Sequence, residues 1–205
     1  MLADLNIKDF LNRVASNSAL PGGGSVAALS AALGASLSEM VANLTIGKKG
    51  YESSYEDMKA IAKEAAEYRE KLIRDIDRDS DAYNQVMAAF KLPKETEEQN
   101  RERHQAIQNG LKTAASVPLE VAKDAFNIME LAGKVIKKGN KNAATDGAVG
   151  VMMARSAALS ALCNVKINLA SIQDDEFVRD IEQQVKAMEK QIGKKEEEVL
   201  SFMVL

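Results

Sequence analysis

Asp79 is the residue whose placement most suggests chemistry. Ile76, three residues before it, and Tyr83, four after, share its helical face, so a carboxylate is set into an otherwise apolar seam. An acid on such a face costs free energy unless it is ion-paired, hydrogen-bonded or protonated. Two readings follow: a structural ion pair, or an acid kept for proton transfer. Asp77 and Asp81 flank it, but the period turns them to other faces.

Four other groups carry chemical potential. Pro21-Gly22-Gly23-Gly24-Ser25 stands directly before a helical pattern. Glycines there allow a ligand close to the backbone, Ser25 is a natural N-cap, and the free N–H groups of a helix start attract anions. No strand precedes the run and no Gly-Lys-Ser/Thr closes it, so it is not a Walker A loop. A plain tight turn is the simpler alternative. Asp146 lies near the start of a later helix, where it stabilises the helix dipole or meets a ligand. Asn164 and Asn168 are four apart on that helix, in the row Met153, Ala157, Ala161, Asn164, Asn168. Buried amides need partners, from a neighbouring helix or from a ligand. Lys48 and Lys49 form one basic loop, and Lys137, Lys138 and Lys141, around Asn140, form another. Such lysine runs are commonly just solvated.

The elements that must hold these residues are helices. Apolar positions recur at three- and four-residue steps throughout, and no alternating strand pattern is visible. Asn6 and Asp9 mark a first helix start. A small-residue helix is expected from about 25 to 45, a long one from 54 to 91, and another from about 95 to 138. A second small-residue helix follows from 143 to 171, and a charged one from 174 to 202. Met58, Ile61, Ala65, Tyr68, Leu72, Ile76, Tyr83, Val86 and Phe90 make the buried stripe of the long helix. Pro118 predicts a kink or break near Ser116. Cys163 reads as a small core residue. The expected architecture is all-α: a single antiparallel bundle of about six helices, one domain over residues 1–205.

Composition removes several function classes. The 205 residues hold one cysteine and one histidine, His104, which argues against a disulfide framework, a Cys/His metal centre and a His-based triad. A net charge of −3 gives no field favouring nucleic acid. The stretch 25–47 carries one formal charge, Glu39, but serines, Asn43 and Thr45 dilute it, so it is expected to be a buried helix rather than a membrane span. No secretion leader is visible, and a cytoplasmic location is the expectation.

Several stretches together resemble the cyclodeaminase domain of formiminotransferase-cyclodeaminase and the stand-alone bacterial methenyltetrahydrofolate cyclohydrolases related to it. They are Pro21-Gly22-Gly23-Gly24-Ser25-Val26-Ala27-Ala28 and Gly47-Lys48-Lys49-Gly50-Tyr51. They continue with Asp77-Arg78-Asp79-Ser80-Asp81-Ala82-Tyr83 and Leu92-Pro93-Lys94, then Gly139-Asn140 with Thr145-Asp146, and Asn164-Val165-Lys166-Ile167-Asn168-Leu169. The resemblance covers nearly the whole chain. It implies a helical homodimer acting on the one-carbon unit between N5 and N10 of tetrahydrofolate, with no metal or redox cofactor. The catalytic acid then falls on Asp79. Thr145 stands where the family often has Ser.

Cyclodeamination of 5-formimino-tetrahydrofolate is the leading expectation, and cyclohydrolysis of 5,10-methenyl-tetrahydrofolate is close behind. A non-catalytic bundle that binds folate or a partner is the rival from another class. Substrate binding is expected from Gly22, Gly23, Gly24, Ser25, Lys48, Lys49, Asn140, Asp146, Asn164 and Asn168. The last three face the pterin, while the glycine turn and the lysines face a glutamate or polyglutamate tail.

Overall fold

Local sequence sets six helices with short connections. A computed structural model describes residues 1–202, so the last three residues of the expected domain lie outside the described residues. The helices are α1 (Ile7–Val14), α2 (Gly23–Asn43), α3 (Tyr55–Phe90), α4 (Glu97–Lys138), α5 (Ala144–Leu169) and α6 (Asp175–Leu200), with no strand among the described residues. Each start has a local cause. Asn6 accepts the Asp9 N–H at 3.0 Å, Thr96 and Gln99 form a reciprocal capping box, and Asp174 accepts the Phe177 N–H at 3.0 Å. Gly47 and Gly50 have φ of 76° and 89°, the left-handed region that glycine adopts without strain, and they turn the chain between α2 and α3.

Helices α2 to α5 pack as an antiparallel four-helix core, with α6 laid along α4 and α5. Cross-helix pairs give the register. Ser25 meets Ile76 and Glu39 meets Arg69 between α2 and α3. Arg78 meets Glu120 and Lys138 meets Asp57 between α3 and α4. Ala114 meets Asn168 between α4 and α5. At the α2–α5 crossing a Cβ on Gly34 would lie 2.9 Å from the Gly150 carbonyl oxygen, closer than real Cβ atoms come. Small residues are therefore the condition for this approach, and they explain why two helices rich in Ala and Gly lie at the centre. Both are long and apolar enough to cross a membrane by length and composition, yet Ala27, Ala28, Ala31, Ala35, Ala154, Ala157, Ala158 and Ala161 are buried against other helices of the bundle.

Three expectations are corrected. Helix α4 runs unbroken across Ser116 despite Pro118. The carbonyl that the proline leaves without its helical donor, Ala114, accepts instead from Asn168 Nδ2 at 2.7 Å. Cys163 is exposed, because its position on α5 faces away from the bundle. Tyr83 and Phe90 leave the buried stripe of α3: they are 40% and 47% exposed and border a cavity.

Candidate active site

The cavity lies where the start of α2, the last turns of α3, the first half of α4 and the end of α5 converge. Its volume is about 420 Å³. Gly22, Gly23 and Gly24 form one edge, and Asp79 stands beside them. Tyr83, Met87 and Phe90 make an apolar side, with Asn164 and Asn168 opposite. A larger cleft of about 500 Å³ between α5 and α6 has a charged rim of Lys166, Glu182, Lys186 and Glu189. Its half-buried acid, Glu189, is paired with Lys166 at 2.6 Å, whereas Asp79 has no cation, so the smaller cavity is the better candidate.

Asp79 owes its surroundings to α2. The helix N-cap is Gly22, with no side chain of its own to satisfy the first N–H groups. Asp79 arrives from α3 against this uncapped turn, its Oδ2 3.3 Å from Ser25 Oγ. Ser25 is therefore not the cap that the sequence suggests. It lies inside the first turn, fully buried, and donates from Oγ to the Ile76 carbonyl at 2.8 Å, fastening α2 to α3. Glycine at 24 leaves the room the carboxylate takes, because a Cβ there would overlap Asp79 unless its side chain shifted.

The contrast with Asp75 defines what Asp79 is. Asp75 is 1% exposed and is held by two cations, Lys71 at 3.1 Å and Arg78 at 2.8 Å. These ion pairs, with Asp124 and Glu120, bind α3 to α4. Asp79, one turn on, has no cation, and no lysine or arginine lines the cavity. Burial pushes its carboxyl above the usual aspartate range, while the hydrogen bonds from the Ser25 side chain and backbone oppose this and lose. Of the two readings of the seam acid, the structural ion pair belongs to Asp75.

Both amides turn their nitrogens to carbonyls. Asn164 Nδ2 donates to the Ser160 oxygen at 2.9 Å, and Asn168 Nδ2 donates to Ala114. Their oxygens remain, so with Asp79 the cavity offers three side-chain acceptors to a ligand's N–H groups.

The other expected site residues gather at the opposite end of the bundle. Helix α2 is 21 residues long, so its two ends are roughly 30 Å apart. Lys48 and Lys49 follow its far end. Asn140 is engaged in closing loops there: its N–H donates to Thr45 Oγ1 at 2.8 Å, and its Oδ1 accepts from the Asn142 N–H. Asp146 occupies the first turn of α5, where it complements the dipole. Within one protomer the structure thus brings Gly22, Gly23, Gly24, Asp79, Asn164 and Asn168 to the cavity, with Ser25 just behind them. It leaves Lys48, Lys49, Asn140 and Asp146 away from it. Sequence reasoning missed Met87, Leu111 and Ala114 as lining residues; the steps Asp79, Tyr83, Met87, Phe90 were the available signal. No three His, Cys, Asp or Glu side chains among the described residues converge as metal ligands would.

The formiminotransferase-cyclodeaminase family profile matches residues 6–187. A methenyltetrahydrofolate cyclohydrolase of Methylorubrum extorquens is 39% identical over 180 residues, covering 88% of this chain and 86% of its own. A formimidoyltransferase-cyclodeaminase of Gallus gallus is 38% identical over 176 residues, covering 86% of this chain. The present chain spans 32% of that relative's length. The crystal structure of a formiminotetrahydrofolate cyclodeaminase from Thermotoga maritima matches with a TM-score of 0.88 at 32% identity, covering 98% of this chain and 97% of that one.

Proposed function

Because the chain belongs to the formiminotransferase-cyclodeaminase family, we propose that it is a folate one-carbon enzyme that closes the bridge between N5 and N10 of 5-formimino-tetrahydrofolate with loss of ammonia. The observation that carries this reading is the Asp79 carboxyl, half-buried beside a cavity, free of cations among the described residues and held toward its neutral form by desolvation. A carboxyl that burial makes hold its proton to higher pH than usual suits a reaction made of proton transfers.

The steps follow from that group. N10 attacks the formimino carbon, and the C=N π pair moves to the imino nitrogen, which takes the Asp79 proton. The carboxylate then takes the proton from N10, leaving a neutral tetrahedral carbon between two ring-forming nitrogens. Asp79 next protonates the amino group, the C–N bond breaks and ammonia departs. The product is the 5,10-methenyl cation beside an ionised Asp79, which stabilises it electrostatically and is reset by a proton from water. One proton is consumed overall. These steps are acid–base chemistry alone and call on no metal or redox cofactor.

Cyclohydrolysis is the second reading, favoured by the 39% identity to a cyclohydrolase matched along most of its length. There an ionised Asp79 removes a proton from water as it attacks the methenyl carbon. Asp79 then passes that proton to N5 as the C–N5 bond breaks, the carbinol O–H gives its proton to water as the formyl C=O forms, and 10-formyl-tetrahydrofolate results with one proton released overall. Assaying purified protein with 5-formimino- and with 5,10-methenyl-tetrahydrofolate separates the two. Ammonia release from the first supports the leading reading, turnover of the second alone supports the other, and turnover of neither leaves the non-catalytic binding bundle.

The proposal includes a homodimer. Val26, Leu33 and Met40 recur at helical spacing along α2 and, with Leu44 just past its end, are exposed, as are Val149 and Met152 on α5. An isologous contact over these stripes, with the paired α2 helices antiparallel, sets the far end of one protomer against the cavity of its partner. Lys48, Lys49 and Asp146 then approach the substrate from the second chain, and the lysines attract its glutamate or polyglutamate tail.

A further inference from the structure

In an α-helix the carbonyl of residue i accepts from the N–H of residue i+4. Residue 118 of α4 is proline and has no N–H, so the Ala114 carbonyl loses its helical donor. Buried carbonyls seldom go without a partner. The replacement comes from the neighbouring helix, with Asn168 Nδ2 2.7 Å from the Ala114 oxygen. Ala114 and Asn168 both line the cavity beside Asp79.

This pairing decides which atom of Asn168 a ligand meets. A carbonyl only accepts, so the amide must turn its nitrogen to Ala114. Oδ1, bonded to the same carbon, is directed away and has no hydrogen-bond partner among the described residues. We propose that Pro118 is a positioning residue for the cavity: by withholding one donor from α4 it makes the Ala114 carbonyl a fixed anchor for Asn168, whose oxygen then receives an N–H of the ligand. Asn164 reaches the same orientation through Ser160, a helical neighbour, and so depends on no proline. The ligand's identity rests on the folate reading above; the anchoring itself does not.

Pro118→Ala returns an N–H to position 118 in a residue that favours helix, so the fold should persist. The restored donor competes for Ala114 and releases the Asn168 amide. With whichever folate the wild-type protein turns over, KM should rise roughly tenfold, the loss of one oriented hydrogen bond, while kcat changes little. Asn168→Ala should raise KM by a similar factor. The decisive measurement is the double variant Pro118→Ala/Asn168→Ala, which should be no worse than Asn168→Ala alone. Pro118→Ser restores the same N–H with a poorer helix former, and it should behave like Pro118→Ala. An independent readout needs no substrate: the Asn168 side-chain amide protons, followed by NMR, should move upfield in Pro118→Ala as their hydrogen bond weakens.

A proline that acts only through helix shape predicts the same further KM rise in the Asn168→Ala background, and that result overturns the proposal. So does an unchanged KM, or an unchanged Asn168 amide resonance, in Pro118→Ala. Absence of turnover of either folate by the wild-type protein counts against the functional reading instead, with the NMR comparison still deciding the anchor.

Discussion

The Asp79 carboxylate occupies the space that a side chain on Gly24 would need. The two residues are 55 positions apart and meet because α3 delivers an acid to the uncapped start of α2. Gly24→Ala should therefore push the carboxylate out of place and lower kcat/KM by roughly a hundredfold or more, the scale of a lost general acid–base group. Gly23→Ala should cost less, because its Cβ would lie 3.3 Å from Asn164 Nδ2, a flexible side-chain end. Helical circular dichroism and kinetics on the two variants check the pair. Equal, mild effects would show that Asp79 can move without consequence.

Asp79→Asn keeps the shape and removes the transferable proton. Turnover should fall roughly a hundredfold to ten-thousandfold, with folate binding changed only a few-fold. Single-turnover kinetics and equilibrium titration check this. Activity near that of the wild type would remove Asp79 from the mechanism.

The same variant has a signature in stability against pH. Burial raises the Asp79 pKa in the folded state above its value in the unfolded chain. The wild-type protein therefore loses stability as pH rises from the unfolded value through the folded one, and the deficit persists at neutral pH. Asparagine carries no such cost. The stability of Asp79→Asn relative to the wild type should improve as pH increases from about 4 to 7 and level off above the raised folded-state pKa. Urea titrations across that range read the slope, and a slope of the opposite sign would mean that the carboxylate is stabilised by folding.

Assembly should depend on the uncovered stripe of α2. Leu33→Asp combined with Met40→Asp places charges on two exposed apolar positions that the fold itself does not need. Light scattering at micromolar concentration should show the wild-type protein as a dimer and this variant as a folded monomer with little activity. A wild-type monomer, or a fully active monomeric variant, contradicts the shared site.

Tail recognition should be electrostatic and screenable. Lys138 is paired with Asp57 at 2.6 Å, and Lys137 lies over the Phe202 ring, so both are partly committed. Lys48, Lys49 and Lys141 remain the principal cations. Polyglutamylated substrate should bind more tightly than monoglutamate at low salt. The preference should fade as salt approaches about 0.5 M and should largely vanish in Lys48→Glu/Lys49→Glu. Equal binding of the two forms at low salt would leave the lysine loop as solvated surface.

Much of the fold was legible because helix formation is a local matter. Apolar spacing, caps and glycine turns act within one or two turns of chain, and they located six helices to within a few residues. The same local logic singled out Asp79, since an acid on an apolar face is visible from its neighbours at three and four residues. It also marked two helices rich in small residues, which approach each other closely at Gly34 and Gly150.

Tertiary structure alone decided which ends of those helices meet. Spacing could not show that Asp75 takes the cations while Asp79 takes only Ser25, or that Ser25 is a fastener rather than a cap. Nor could it show that the Asn164 and Asn168 end of α5 meets the glycine turn before α2. Pro118 predicts a kink or break because its missing N–H is a local fact. The donor that repairs α4 comes from Asn168, 54 residues away from Ala114. A helix's own sequence sets its period and its ends, whereas the partner of each unsatisfied group is set by how the helices cross, and that depends on packing along the whole chain.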